Sequence, residues 1–145
     1  MNENAIISIK SSQMADGEKP DTIELVTGGA LVREEDGYTI VYQETELTGL
    51  EGTTTRLHIR EDRVTLLREG NVNSQMIFEE GQKHLSMYET PYGSMAVGID
   101  TRRITNSIGE TGGDLRIHYD IEVDNLLVGR TLFRLNVKKN PGLTQ

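Results

Sequence analysis

The chain has no cysteine and no tryptophan, only three prolines and two phenylalanines, and no apolar run approaching the length of a membrane span. Without cysteine there can be no disulfide, no thiolate metal site and no cysteine nucleophile. The opening residues Met1-Asn2-Glu3-Asn4 lack the basic region and apolar stretch of a secretory signal. A cysteine-free chain without such a signal is expected in a reducing cytoplasm, away from membranes. At 145 residues it is long enough to bury roughly 70% of its unfolded surface without a covalent or metal staple. One domain spanning 1–145 is therefore expected, with an ordered core from about residue 6 to 138 and a frayed tail over 140–145.

Sequence signals for several common enzyme classes are also missing. Gly28-Gly29 and Gly112-Gly113 are not followed by the Lys-Ser/Thr of a phosphate loop, and no Gly-x-Ser-x-Gly elbow occurs. Basic excess is absent: the net charge is −8. Residues 1–55 hold 11 acids and 3 bases, and the remainder is balanced. Such a chain repels phosphate backbones, so no nucleic-acid partner is expected. The last 20 residues depart from this, with Arg130, Arg134, Lys138, Lys139 and no acid. They read as a strand set beside acidic neighbours.

Helical periodicity is weak, because no window keeps apolar residues at i, i+3, i+4 and i+7. What recurs is short alternation with period two, cut by Gly, Asp and Asn. Strands are expected over 5–13, 22–27 continuing at 30–33, 38–47, 53–60, 63–69, 72–78, 83–90, 94–101, 114–123 and 126–138. Turns are expected at Ala15–Asp21, Glu35-Asp36-Gly37, Gly70-Asn71, Pro91-Tyr92-Gly93 and Asp124-Asn125. Gly28-Gly29 suggests a bulge, and Arg102–Thr111 stays unassigned between helix and loop. About eight to ten such strands make an all-β, single antiparallel barrel, since an open sheet would leave adhesive edges.

Three segments then stand out together: Tyr42-Gln-Glu44-Thr-Glu46-Leu-Thr48-Gly49 before a Thr-rich strand, Leu67-Arg68-Glu-Gly70 followed by Ser74-Gln75-Met76-Ile-Phe78, and Tyr88-Glu-Thr90-Pro91-Tyr92-Gly93. Their order and spacing resemble the YwiB-like family of small bacterial β-barrel proteins, from about Ile7 to Val137. The resemblance implies a calycin-like, up-and-down barrel related in shape to lipocalins. It implies no activity, no cofactor and no catalytic residue.

Tyr38, Ile40, Tyr42, Glu44 and Glu46 share one strand face if the strand runs on to Leu47. Glu44 and Glu46 would then lie about 7 Å apart, a spacing that acid/base hydrolysis can use. Arg68 shares its face with Val64 and Leu66 and can meet those carboxylates as a structural ion pair or a ligand anchor. Tyr42, Phe78, Tyr88, Tyr92 and Tyr119 are candidate interior aromatics, walls of a cavity or filling of a closed core. His58, His84 and His118 lie on three strands; His58 and His118 alternate against apolar neighbours and read as outward-facing, so no metal site is assigned. Three readings stay open. The first is a barrel binding a small apolar or amphipathic ligand through Tyr42, Glu44, Glu46, Arg68, Phe78 and Tyr88. The second is a packed barrel that acts as an interaction module, as monomer or homodimer. The third is a hydrolase using Glu44 and Glu46.

Overall fold

Thr53–Arg60 shows how the wall is made: Thr53, Thr55, Leu57 and Ile59 are buried, while Thr54, Arg56, His58 and Arg60 between them are half-exposed. A period-two pattern of this kind buries one face of a strand, and ten strands repeat the logic with variations. The computed structural model describes residues 3–14, 19–90 and 93–140, and within them all side chains but those of residues 88–90. The strands are β1 (Ala5–Met14), β2 (Asp21–Glu34), β3 (Gly37–Gln43), β4 (Thr53–Arg60), β5 (Val64–Gly70), β6 (Ser74–Phe78), β7 (Lys83–Thr90), β8 (Gly93–Asn106), β9 (Gly112–Val123) and β10 (Leu126–Lys139). Among the described residues no helix is long and apolar enough to cross a membrane.

All ten strands form one antiparallel sheet in the order β6-β5-β4-β3-β2-β1-β10-β9-β8-β7. Sequence neighbours pair except β6 and β7, and the first strand pairs with the last, Ile7 opposite Val137. The sheet therefore curls into a nearly closed barrel whose seam lies between β6 and β7. Those two strands lie against each other without a ladder, linked by a hydrogen bond from the Ser86 hydroxyl to the Gln75 carbonyl. Closure of this kind removes the exposed edges of an open sheet everywhere but at the seam.

The two ends of the barrel differ. One carries the short turns after β2, β4 and β6 and the β8–β9 connection, whose Ile108 is buried. Ile7, Leu31, Ile40, Ile59, Val64, Leu115 and Val137 fill the interior toward it. At the other end lie the β3–β4 connection and the two-residue turn Asp124-Asn125. Both of those residues have positive φ, 52° and 64°, as a tight hairpin with the right twist requires.

Several sequence expectations change. β3 ends at Gln43 rather than Leu47. Residues 102–106, left unassigned, continue β8. Gly28-Gly29 makes no bulge; β2 runs through both in unbroken register with β1, and the irregularities sit at Thr101/Arg103 and Leu127/Gly129. Gly29 is needed for a different reason. There β2 is flanked by Ala5 on one side and Tyr42 on the other, and a Cβ would collide with the Ile7 side chain and the Val41 carbonyl. In the basic carboxy-terminal strand, Arg130 faces Asp120 as expected, whereas Arg134 faces Arg116. Most of the 15–21 turn, Pro91-Tyr92 and the tail from Pro141 lie outside the described residues.

Gly29→Ala should therefore cost about 1–3 kcal/mol, the usual range for overpacking a closed site. Gly98→Ala, where the new Cβ would meet the Glu122 Cβ at an ordinary 3.5 Å, should be nearly neutral. Chemical denaturation of the two variants checks this; equal losses would remove the packing explanation for Gly29.

Candidate functional site

Four inward positions fall in register across adjacent strands: Tyr42 of β3 opposite Thr55 of β4, Thr55 opposite Arg68 of β5, and Arg68 opposite Ser74 of β6. Each occupies a phase that elsewhere on its strand holds an apolar residue, so the row is a polar band in an otherwise apolar wall. Glu44 lies just beyond it. Its backbone N–H donates to the Thr53 carbonyl (2.8 Å), which extends the β3–β4 ladder by one residue and keeps the side chain inward. The chain then turns. Thr45 accepts from the Leu47 N–H and caps a single 3-10 turn, Glu46–Thr48, which Gly49 ends at φ 74°. This turn lies against β2 and returns the Thr48 hydroxyl to Glu44.

Glu44 is 2% exposed at its side chain and is held by hydroxyls. Thr48 donates to one carboxylate oxygen at 3.0 Å and Thr55 donates to the other. A buried carboxylate needs such donors, since an unpaired charge in an apolar wall is strongly unfavourable. Burial holds the Tyr42 hydroxyl well above the ordinary tyrosine range, and the neighbouring Glu44 charge raises it further against the pull of Arg68. Arg68 is different. Its Nε lies 3.9 Å from Glu44, an ion-pair distance too long for a hydrogen bond. Buried Arg68 Nε and Ser74 Oγ have no hydrogen-bond partner among the described residues.

Tyr42 and Arg68 of this band border a cavity of about 430 Å³. Its lining is mainly apolar, including Leu57, Leu66, Met76, Val97, Ile117 and Phe133, with Tyr42, Glu44, Thr48 and Arg68 at the polar corner. Phe78 and Tyr119 lie against each other in the wall, their rings tilted by 54° with centroids 4.8 Å apart. Half-exposed Ile23 and Met95 carry the lining outward to solvent. The barrel is thus filled toward one end and hollow toward the other.

Of the six residues expected at a ligand site, Tyr42, Glu44, Arg68 and Phe78 line this cavity. Glu46 does not: it is exposed on the 3-10 turn, because the strand stops before it. The expected face shared by Glu44 and Glu46 is not formed, and with it goes the paired-carboxylate arrangement. The side chain of Tyr88 and all of Tyr92 lie outside the described residues. Thr48, Thr55 and Ser74 were not singled out by sequence reasoning; the available signal was a hydroxyl residue at an inward phase, as in Thr53-Thr-Thr55-Arg-Leu57. His58 points outward and its Nδ1 lies 2.9 Å from the Thr39 hydroxyl. His84 bonds Glu79 at 2.9 Å, and His118 is exposed. Among the described residues no three acidic or histidine side chains gather where a metal ion could bind.

Comparison with known proteins places the chain among similar barrels. A family model described as DUF1934, a domain of unknown function, matches residues 7–135. An uncharacterized β-barrel protein, YwiB of Bacillus subtilis strain 168, is 26% identical over 118 residues, covering 81% of this chain and 80% of its own. The crystal structure of the B. subtilis ywiB protein superposes with a TM-score of 0.84 at 21% identity, covering 96% of this chain and 93% of that one.

Two outcomes follow from the hydroxyl cradle. Glu44→Leu leaves the Arg68 charge without its counter-ion and should cost about 3 kcal/mol, whereas Arg68→Met leaves Glu44 with its hydroxyl donors and should cost about 1 kcal/mol. Urea denaturation decides; a larger loss for Arg68→Met would show that the carboxylate depends on the guanidinium. The raised Tyr42 ionisation also has a sign. Below about pH 10 the hydroxyl is protonated in both the folded and unfolded chain and its contribution is intact. Above that pH only the unfolded chain releases the proton, so stability falls as pH rises. Melting temperatures above about pH 10 should fall less steeply in Tyr42→Phe than in the parent; parallel curves would place Tyr42 in contact with water.

Proposed function

The chain belongs to the DUF1934 family, domains of unknown function, and from that premise we propose that it is a binding barrel that holds a small amphipathic molecule in the hollow half of its interior. The observation that carries this reading is the cavity of about 430 Å³, apolar over most of its wall with its charged groups, Glu44 and Arg68, at one corner. Pockets that take drug-sized ligands have this volume and this pattern, apolar walls for affinity and a few placed polar groups for orientation. The architecture supports it: an up-and-down barrel with one packed end and one hollow end works as a lipocalin does, with strands as scaffold and the interior as site. The cytoplasm suits a cysteine-free acidic chain that carries its apolar surface inside.

A second reading, an interaction module, draws on a different observation. Leu126, Leu127 and Val128 are 70%, 47% and 49% exposed, and Met14 and Ile23, on β1 and β2 near the same end, are also more than 40% exposed. An apolar rim of this kind suits a partner or a second copy. Sedimentation at rising concentration separates the two: a monomer throughout argues against self-association.

For the first reading the test is uptake of a neutral solvatochromic dye, Nile red, by the purified protein. One dye per chain should enter with a blue-shifted emission. Val97→Phe, which fills free space in the wall, should weaken uptake about tenfold while the circular dichroism spectrum stays that of a folded barrel. No uptake, or uptake indifferent to Val97→Phe, would overturn the cavity as a binding site.

A further inference from the structure

From the hydrogen-bond state of the polar corner we infer that the bound molecule carries an anionic carboxylate head, received by Arg68, and an apolar tail that lies along Leu66, Met76 and Phe133. This rests on the cavity being a ligand site and adds what the ligand must be.

The inference comes from what each polar group still lacks. Glu44 is provided for: it accepts from Thr48 and Thr55, and the protonated Tyr42 stands next to it. An incoming cation would therefore find the carboxylate already engaged and would meet the positive Arg68 beside it. Arg68 has Glu44 as a counter-ion but, among the described residues, lacks a hydrogen-bond acceptor at Nε. A guanidinium offers five N–H donors in a planar fork, yet the buried Nε of Arg68 has no hydrogen-bond partner among the described residues. Its closest acidic oxygen stands at 3.9 Å from Nε, and its side chain is 19% exposed. Next to it across the ladder, the Ser74 hydroxyl is buried and unpartnered too. Buried donors left unmade are uncommon and costly in folded proteins. Arg68 itself lines the apolar cavity, so its guanidinium is the receptor there for a group that only accepts.

The chemistry narrows the head further. An alcohol or an amide brings one acceptor oxygen and leaves most of the fork unpaired. A carboxylate brings two coplanar oxygens that match two parallel N–H donors, with a charge that complements the guanidinium. The lining beyond the polar corner is mainly apolar, with Ser11, Gln13 and Ser86 as polar members, and calls for a mainly apolar tail. A medium-chain carboxylic acid meets both demands.

Three ten-carbon probes of matched length separate the possibilities by isothermal titration: decanoate, decanol and decylamine, each below its aggregation concentration. The parent protein should bind decanoate about tenfold or more tighter than decanol, the value of one charge-assisted hydrogen-bonded pair, with decylamine weakest. Arg68→Met should remove the preference, so that decanoate binds no better than decanol. Should Arg68→Met not fold, Arg68→Lys keeps the charge without the fork and should shrink the preference severalfold. Decanol equal to decanoate on the parent, or decylamine strongest, would overturn the carboxylate head and leave the cavity reading intact if Nile red still enters. If neither the dye nor any probe binds, the cavity reading itself fails and this inference falls with it.

Discussion

A carboxylate taken almost out of water must be given donors, and this requirement at Glu44 organises the wall around it. The Thr55 hydroxyl on β4 and the Thr48 hydroxyl on the turn reach its two oxygens. The turn in turn exists because Thr45 caps it and Gly49 releases it. Tyr42 stays protonated beside the negative charge. Three polar inward side chains on β3, β4 and β5 are thereby gathered at one height in a barrel whose core is mainly apolar. Hydroxyl donors satisfy Glu44 without a full ion pair, which is why Arg68 can stand close to it and keep its Nε donor unspent.

The shape of the barrel follows from the lengths and partners of its strands. β2 pairs with β1 over 21–29 and with β3 over 29–34. Its first half consequently has no strand on its other side, and the 3-10 turn after β3 lies there instead. That substitution brings Thr48 and Leu50 into the cavity wall. Large aliphatic residues fill the opposite end to close packing, including Leu31, Ile40, Ile59 and Val137. A rigid packed half can hold an unfilled half open, because its strands are continuous through both. The seam between β6 and β7 runs beside the same region, with Ser86 both lining the cavity and tying the two strands together.

Much of this was legible from local pattern. Alternation in Thr53–Arg60 and the signal Asp124-Asn125 depend on neighbours in sequence, and strands and turn stand where those signals put them. Tyr42, Glu44, Arg68 and Phe78 were legible as interior residues for the same reason. Glu46 was not, because alternation says nothing about where a strand stops; the stop is set by a cap at Thr45 and a left-handed Gly49 that only the folded turn reveals. Gly28-Gly29 read as a bulge because glycine is ambiguous in sequence, serving either positive φ or close approach. Here Ile7 and Val41 press on Gly29 from other strands, a contact between residues far apart in the chain. The hydroxyl cradle escaped notice likewise: Thr48 and Thr55 converge on Glu44 only once the chain has turned back on itself.

The claim that matters most is that an apolar cavity with an unspent guanidinium donor at its corner receives the head of an amphipathic acid. A crystal structure of the protein grown with decanoate tests it most directly. It should show the chain inside the hollow half of the barrel with both carboxylate oxygens within hydrogen-bond distance of Arg68. A cavity closed by its own side chains, or a bound molecule with its head at the rim beside Ile23 and Met95 and its tail toward Arg68, would contradict it.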